Sequence, residues 1–238
     1  MRIALSSSAF RRPFAAGELT QLEWVERCAA GLGADGIVCH LADFPRTDAE
    51  YVAQLRKVAV DLGIVPFGVD APDFLDPAAA PAAREATLAL ASGLGVLVLR
   101  TALPAPGEVP PAAFVEAAGV AKAAARAAKG VNVTLLLAAR PGTLAEDADG
   151  LRHLLKDVDS AWLRACPRAA DGRANWGPKE RIPAFEATPA DDPLAVAAAA
   201  ERAWVILDAP APERPWALLG DGLRALRAAT AERRLIAG

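Results

Sequence analysis

Along the chain, short and almost uninterrupted apolar runs alternate with longer stretches in which apolar positions recur at helical spacing. The runs fall at 3–8, 36–41, 65–70, 96–100, 131–138, 161–166, 182–187 and 205–208. Solidly apolar runs are expected of strands covered on both faces, whereas a half-exposed strand alternates. Their starts lie roughly 20–35 residues apart, room for a strand, a crossover helix and two loops.

The stretches between them carry helix start and stop signals. TQLE at 20–23, TDAE at 47–50 and TLAE at 143–146 each fit a capping box, in which hydroxyl and carboxylate reciprocally satisfy exposed amides. Leu55, Val58, Ala59 and Leu62 keep i, i+3, i+4, i+7 spacing, and Gly63 follows as a C-terminal cap. GLG at 31–33 and at 93–95 ends two further helices in the same way. VEAAGVAKAAARAAKG supplies another helix, and 216–234 the last. The exception is PRAADGRANWGPKE, between the sixth and seventh runs, which is too broken by Gly, Pro and Asn for a full crossover helix.

Eight β units in 238 residues predict a single-domain α/β fold, a (β/α)8 TIM barrel over 1–238. The crossover helix between strands six and seven is expected to be short or absent. The alternative is an open doubly wound sheet. Against it, the first junction, ALSSSAFRRP, lacks GxGxxG, and GxxxxGK[ST] occurs nowhere.

Composition narrows the function classes. A hydrophobic share of 53% with 23% charged residues is ordinary for a globular enzyme. The net charge of -3 provides no field that would attract nucleic acid or an anionic membrane. No apolar run approaches the roughly 18 residues of a membrane span, and no leader peptide is visible at the start. Cys28, Cys39 and Cys166 form no CxxC pair and read as reduced interior thiols, so a cytoplasmic location is expected.

In a barrel of this kind, chemistry is mounted where strands exit at their C-terminal ends. Those positions carry Ser6, Ser7 and Ser8 with Arg11 and Arg12 after strand one, His40 and Asp43 after two, and Asp70 after three. Arg100 follows strand four, Arg140 five, Cys166 and Arg168 six, Glu186 seven and Asp208 eight. Acids mixed with arginines suit a polar ligand, neutral or anionic, such as a sugar, sugar acid or phosphate ester. Two readings stay open for several of them. His40 is either a general base or a residue bonded to a neighbour. Arg100 and Arg140 either bind an anion or neutralise Asp70, Glu186 and Asp208. Trp176 either covers the mouth or anchors its loop. Cys166 is read as core, and His153 as a surface or packing residue.

GADGIVCHLADFPRTDAEYVAQLRKVAVDLGI and VNVTLLLAARPGTLAEDADGLRHLLKDVDS together resemble the second and fifth units of the xylose-isomerase-like TIM barrels, a family that includes sugar phosphate isomerases/epimerases and the endonuclease IV type. Members typically read Glu-Asn-His-Pro-Gly after the fifth strand; here RPGT survives, but the metal-binding glutamate falls on Ala138. The sixth-strand aspartate falls around Pro167 or Arg168, the seventh-strand histidine at or near Glu186, and the eighth-strand glutamate at Asp208. The resemblance therefore implies a degenerate metal site, and no metal or other cofactor is expected.

It also implies a sugar phosphate isomerase/epimerase-like protein that takes a carbohydrate-like ligand at the barrel mouth. Without a metal, proton abstraction beside a carbonyl falls to Glu186 or Asp208, with His40 as partner and arginines stabilising the enediolate. Asp70, Arg100, Arg140, Arg168 and Trp176 are the expected ligand-binding set. The alternative is a catalytically degenerate barrel serving as a binding or assembly subunit, and a homo-oligomer stays open. Two histidines cannot build the multi-metal cluster of the endonuclease members.

Overall fold

In the computed structural model, which describes residues 1–104, 111–172, 182–209 and 212–237, each apolar run becomes a strand. They are β1 (Arg2–Ser6), β2 (Gly36–His40), β3 (Val65–Asp70), β4 (Val98–Thr101), β5 (Thr134–Ala138), β6 (Leu163–Cys166), β7 (Ala184–Ala187) and β8 (Trp204–Leu207). All pair in parallel in the order β6-β5-β4-β3-β2-β1-β8-β7. The ends of that order meet through a bridge between Arg168 and Glu186, where the Glu186 amide donates to the Pro167 carbonyl at 2.8 Å. The sheet is thus a nearly closed (β/α)8 barrel.

Helices cover its outer face: α1 (Arg11–Ala15), α2 (Gln21–Glu26), α3 (Ala49–Asp61), α4 (Pro81–Leu94), α5 (Pro111–Gly130), α6 (Ala148–Val158), α7 (Pro193–Ala200) and α8 (Pro215–Ala237). The two-residue period of the strands divides the core. Leu5, Cys39, Leu99, Leu137, Phe185 and Leu207 join the large cluster that includes helix residues Leu55, Leu94, Leu154 and Leu223. Ala4, Val38, Phe67, Val98, Leu136, Cys166, Ala184 and Ile206 form a separate cluster inside the barrel. Trp204 stacks on Phe67, with ring centroids 4.3 Å apart, and Arg2 lies over Trp204.

One irregularity decides what enters the site. Ile37 pairs with Pro66, but Val38 pairs with Gly68, so Phe67 is an extra residue in β3. Such a bulge shifts the phase of every side chain beyond it. Phe67 then faces inward, Val69 faces the helices, and Asp70 faces inward again. Without the bulge Asp70 would point into the helix layer. Gly68 permits the bend, since a Cβ there would lie 2.9 Å from Val98 Cγ2 and 3.2 Å from the Val98 carbonyl oxygen.

The capping box at 20–23 forms as expected, with Thr20 and Glu23 bonded in both directions. The other two do not. Asp48, not Thr47, caps α3 by accepting from the Tyr51 amide at 3.1 Å, since its carboxylate reaches that amide and also pairs with Arg46. α6 begins four residues later than TLAE suggests, capped by Asp147. Thr143 instead donates to the Arg140 carbonyl at 2.7 Å, and Glu146 accepts from the Gly142 amide. Those bonds fold the RPGT segment into a turn. Between β6 and β7 the described residues hold one 3-10 turn, Ala169–Asp171. Trp176 lies outside the described residues. No described helix is long and apolar enough to cross a membrane.

Candidate active site at the barrel mouth

The residue two places beyond each inner core residue sits one layer higher, at the mouth. Val98 leads to Arg100, Val38 to His40, Ala184 to Glu186 and Ile206 to Asp208. On β5 the same step leads from Leu136 to Ala138, which is buried and carries no polar group. The sequence thus fixes the chemistry of this layer by a simple parity.

Arg100 lies at its centre, 0% exposed. Its Nη2 donates to Asp70 Oδ2 at 2.6 Å and to Asp208 Oδ2 at 3.1 Å, while Nη1 donates to Glu186 Oε1 at 2.7 Å. Three carboxylates from three strands therefore meet on one guanidinium. Arg140 reaches in from the β5–α6 loop, its Nη2 lying 3.3 Å from Asp70 Oδ2 and 3.4 Å from Glu186 Oε1. Asp208 also accepts from the Ser8 hydroxyl, and Ser6 donates to Ser8 at 3.0 Å.

These neighbours set protonation. Burial alone would raise Asp70, but Arg100 and Arg140 hold it down to about 2. For Glu186 burial wins over the same two arginines, so its carboxyl lies above the usual carboxylate range. Burial works against the charge of Arg100, yet Asp70, Glu186 and Asp208 more than offset it, and the guanidinium stays charged. His40 is shifted down by burial and by Arg11, whose guanidinium touches Nε2, against the opposing pull of Asp70. The Ala42 amide donates to His40 Nδ1 at 3.1 Å, so both ring nitrogens have a partner within the protein. Burial pushes the Cys166 thiol far up, as befits its place in the inner core.

Above this layer opens a cavity of about 570 Å³, walled by His40, Asp70, Arg140, Arg168, Glu186 and Asp208 together with Ser8, Arg11 and Asp191. The structure brings six of the sequence-derived candidates to one mouth and sets Arg100 beneath it, out of reach of solvent. The two readings of Arg100 and Arg140 separate here. Arg100 is wholly an internal counter-charge, whereas Arg140 faces both the acids and the cavity. Arg168 stands at the rim, holding Asp171 with Nε at 3.0 Å and Nη2 at 3.1 Å. Thr188 and Asp191, absent from the sequence-derived set, line the cavity from the β7–α7 loop, and their only sequence signal is that they follow a strand exit. His153 is on the surface, stacked on Phe114 and 3.1 Å from Asp157.

No protein-family model and no curated protein sequence matches the chain. Solved structures do match in fold. A D-psicose 3-epimerase crystallised in the presence of D-fructose aligns with TM-score 0.74 at 16% identity, covering 99% of each chain. The probable 3-DHS dehydratase AsbF of Bacillus anthracis, involved in petrobactin synthesis, aligns at 0.76 and 13%, covering 95% of this chain and 99% of that one. A fusion of a xylose isomerase-like TIM barrel with a 4-hydroxyphenylpyruvate dioxygenase aligns at 0.70 and 14%, covering 98% of this chain and 44% of the fusion. The fold is the one these solved structures share, among them the protein named as a xylose isomerase-like TIM barrel.

The metal ion implied by that fold family does not fit the residues present. Ala138 has no donor atom, and Arg168 presents a cation tied to Asp171. Glu186 and Asp208 are aimed at Arg100. Among the described residues no group of three His, Cys, Asp or Glu side chains is arranged to hold a metal.

Proposed function

We propose that the protein takes a small carbohydrate-like ligand at the barrel mouth and isomerises or epimerises it by proton transfer beside a carbonyl. The observation that carries this reading is the meeting of Glu186, a buried carboxylate of raised proton affinity, with the cavity-facing cation Arg140 in one mouth. A carboxylate with raised affinity is better matched to taking a proton from carbon near neutral pH than one held at about 2, as Asp70 is. Glu186 removes the proton next to the carbonyl, the C–H electron pair forms the C=C bond of an enediolate, and the negative charge moves to oxygen. Arg140 stabilises that oxygen, and Glu186, now carrying the proton, returns it to a carbon of the enediolate. Arg168 at the rim supplies a second cation for a carboxylate or phosphate on the ligand. His40 lines the same mouth, held by Ala42 and Arg11, and completes the polar wall that the ligand meets.

The fold shared with the D-psicose 3-epimerase supports the substrate class. A second reading, a barrel that binds such ligands without turning them over, is favoured by one observation: Asp70, Glu186 and Asp208 are all engaged by Arg100. Proton NMR in D2O separates the two. A panel of ketoses, keto acids and their phosphates should show solvent exchange at the carbon beside the carbonyl, and Glu186→Gln should abolish it. Saturable ligand binding with no exchange would leave the binding reading standing and remove the catalytic one.

A further inference from the structure

We infer that Arg100 is a built-in cation, a positioning residue that occupies the place where a divalent ion would otherwise gather the carboxylates of the mouth. Asp70, Glu186 and Asp208 come from β3, β7 and β8, and each directs an oxygen at Arg100 at 2.6, 2.7 and 3.1 Å. Like charges on facing strands do not converge on an empty centre, so a cation must sit among them. Here it is covalent, fully buried and carried to the centre by β4, on the same inward parity as Val98. The two positions of the sequence that match metal-ligand positions of the resembled family, Glu186 and Asp208, are held by different nitrogens of one planar fork. The guanidinium thereby sets their separation as well as their charge balance.

A second arginine shares the work. Arg140 sits on Asp70 and Glu186 from the cavity side, so two fixed positive charges face the three acids. A dication placed in the mouth would meet Arg100 and Arg140 at short range. The carboxylates that would have to ligate it already accept hydrogen bonds from guanidinium N–H groups. Independence from metal is therefore a property of the β4 side chain. The inference does not rest on the ligand class proposed above and is read without any substrate.

The test is Mn2+ uptake, followed by electron paramagnetic resonance and by calorimetric titration of the intact protein. The native chain is expected to show no saturable uptake up to about 1 mM Mn2+. Arg100→Ala vacates the centre and leaves the acids in place, and should take up one Mn2+ at least about a hundredfold more tightly. Recovery of folded Arg100→Ala only in the presence of Mn2+ would equally support the inference. Stoichiometric, tight Mn2+ in the native protein overturns it, as does a folded Arg100→Ala that takes up none. Should Arg100→Ala fail to fold with or without metal, Arg100→Gln combined with Asp70→Asn replaces the charged pair by two amides. That variant should bind Mn2+ through Glu186 and Asp208, more weakly but above the native level, and its folding without any uptake overturns the inference.

Discussion

Replacing Arg100 by methionine keeps much of the side-chain volume and removes the charge, leaving three acids around an apolar chain. The magnitude can be worked from Asp70. It is held at about 2, against 3.8 for a free aspartate, a difference of roughly 2.5 kcal/mol in favour of the fold at neutral pH. Arg140 remains 3.3 Å away and keeps part of this, while Glu186 and Asp208, whose side chains are 14% and 25% exposed, are left partly solvated. Breaking a buried ion pair from one side costs about 3–5 kcal/mol, and the residual Arg140 contact places this variant near the lower end. For a chain of this length that is a fall in Tm of about 10 °C.

The sign with pH follows from the same group. In the native protein the Asp70 contribution is complete above the free-aspartate value and disappears as pH falls through about 2. In the variant the buried, poorly compensated acid binds its proton more readily when folded than when unfolded. The deficit is therefore greatest at pH 7 and shrinks toward pH 4.5. Urea melts of both proteins at the two pH values measure it. A deficit under about 1 kcal/mol at pH 7, or one equal at both pH values, would refute the reasoning. Adding Asp70→Leu should restore much of the loss, because an apolar pair has no charge left to bury.

If Glu186 acts as the base, the acid limb of kcat/KM lies above the usual carboxylate range, and Arg140→Met moves it higher still by removing a neighbouring cation; a limb that stays put in Arg140→Met would disconnect the two residues. Gly68→Ala pushes a methyl group against Val98 and its carbonyl, so chemical denaturation should show a loss of about 1–3 kcal/mol, together with weakened ligand binding as the β3 bulge and Asp70 shift. Asp48→Ala should destabilise the protein by about 1 kcal/mol and Thr47→Ala by much less, and the reverse order in thermal melts would reinstate the box at 47–50.

Much of this architecture is legible in the chain. The eight apolar runs are long enough to declare strands buried on both faces, and a residue at a strand exit of a barrel has nowhere to go but the mouth. That is why the sequence alone places Glu186, Asp208, Arg140 and His40 together. What could not be read is parity across an irregularity. Phe67 and Asp70 both point inward only because β3 carries one residue more than β2 opposite it. Nothing in VPFGVD marks the extra residue except a glycine. Nor does local sequence separate Arg100 from Arg140, since each ends an apolar run. Strand register buries the first beneath the acids, and the turn that follows β5 swings the second out to the cavity. The capping boxes at 47–50 and 143–146 went astray because Asp48 and Asp147 offer a carboxylate one and four residues further on.

The join between β6 and β7 gives the barrel an order of failure. Other neighbouring strands share three to five register pairs. Among the described residues this pair has one bridge, and its two members, Arg168 and Glu186, are both walls of the mouth. Local opening follows the thinnest hydrogen-bonded line, where backbone amides are least protected. On warming, the Glu186 amide should exchange before those of β1 or β4, and Arg168 should part from Glu186 while the inner core from Ala4 to Ile206 is still packed. Heat inactivation would then precede unfolding, with ligand binding lost several degrees below the melting transition and regained on cooling.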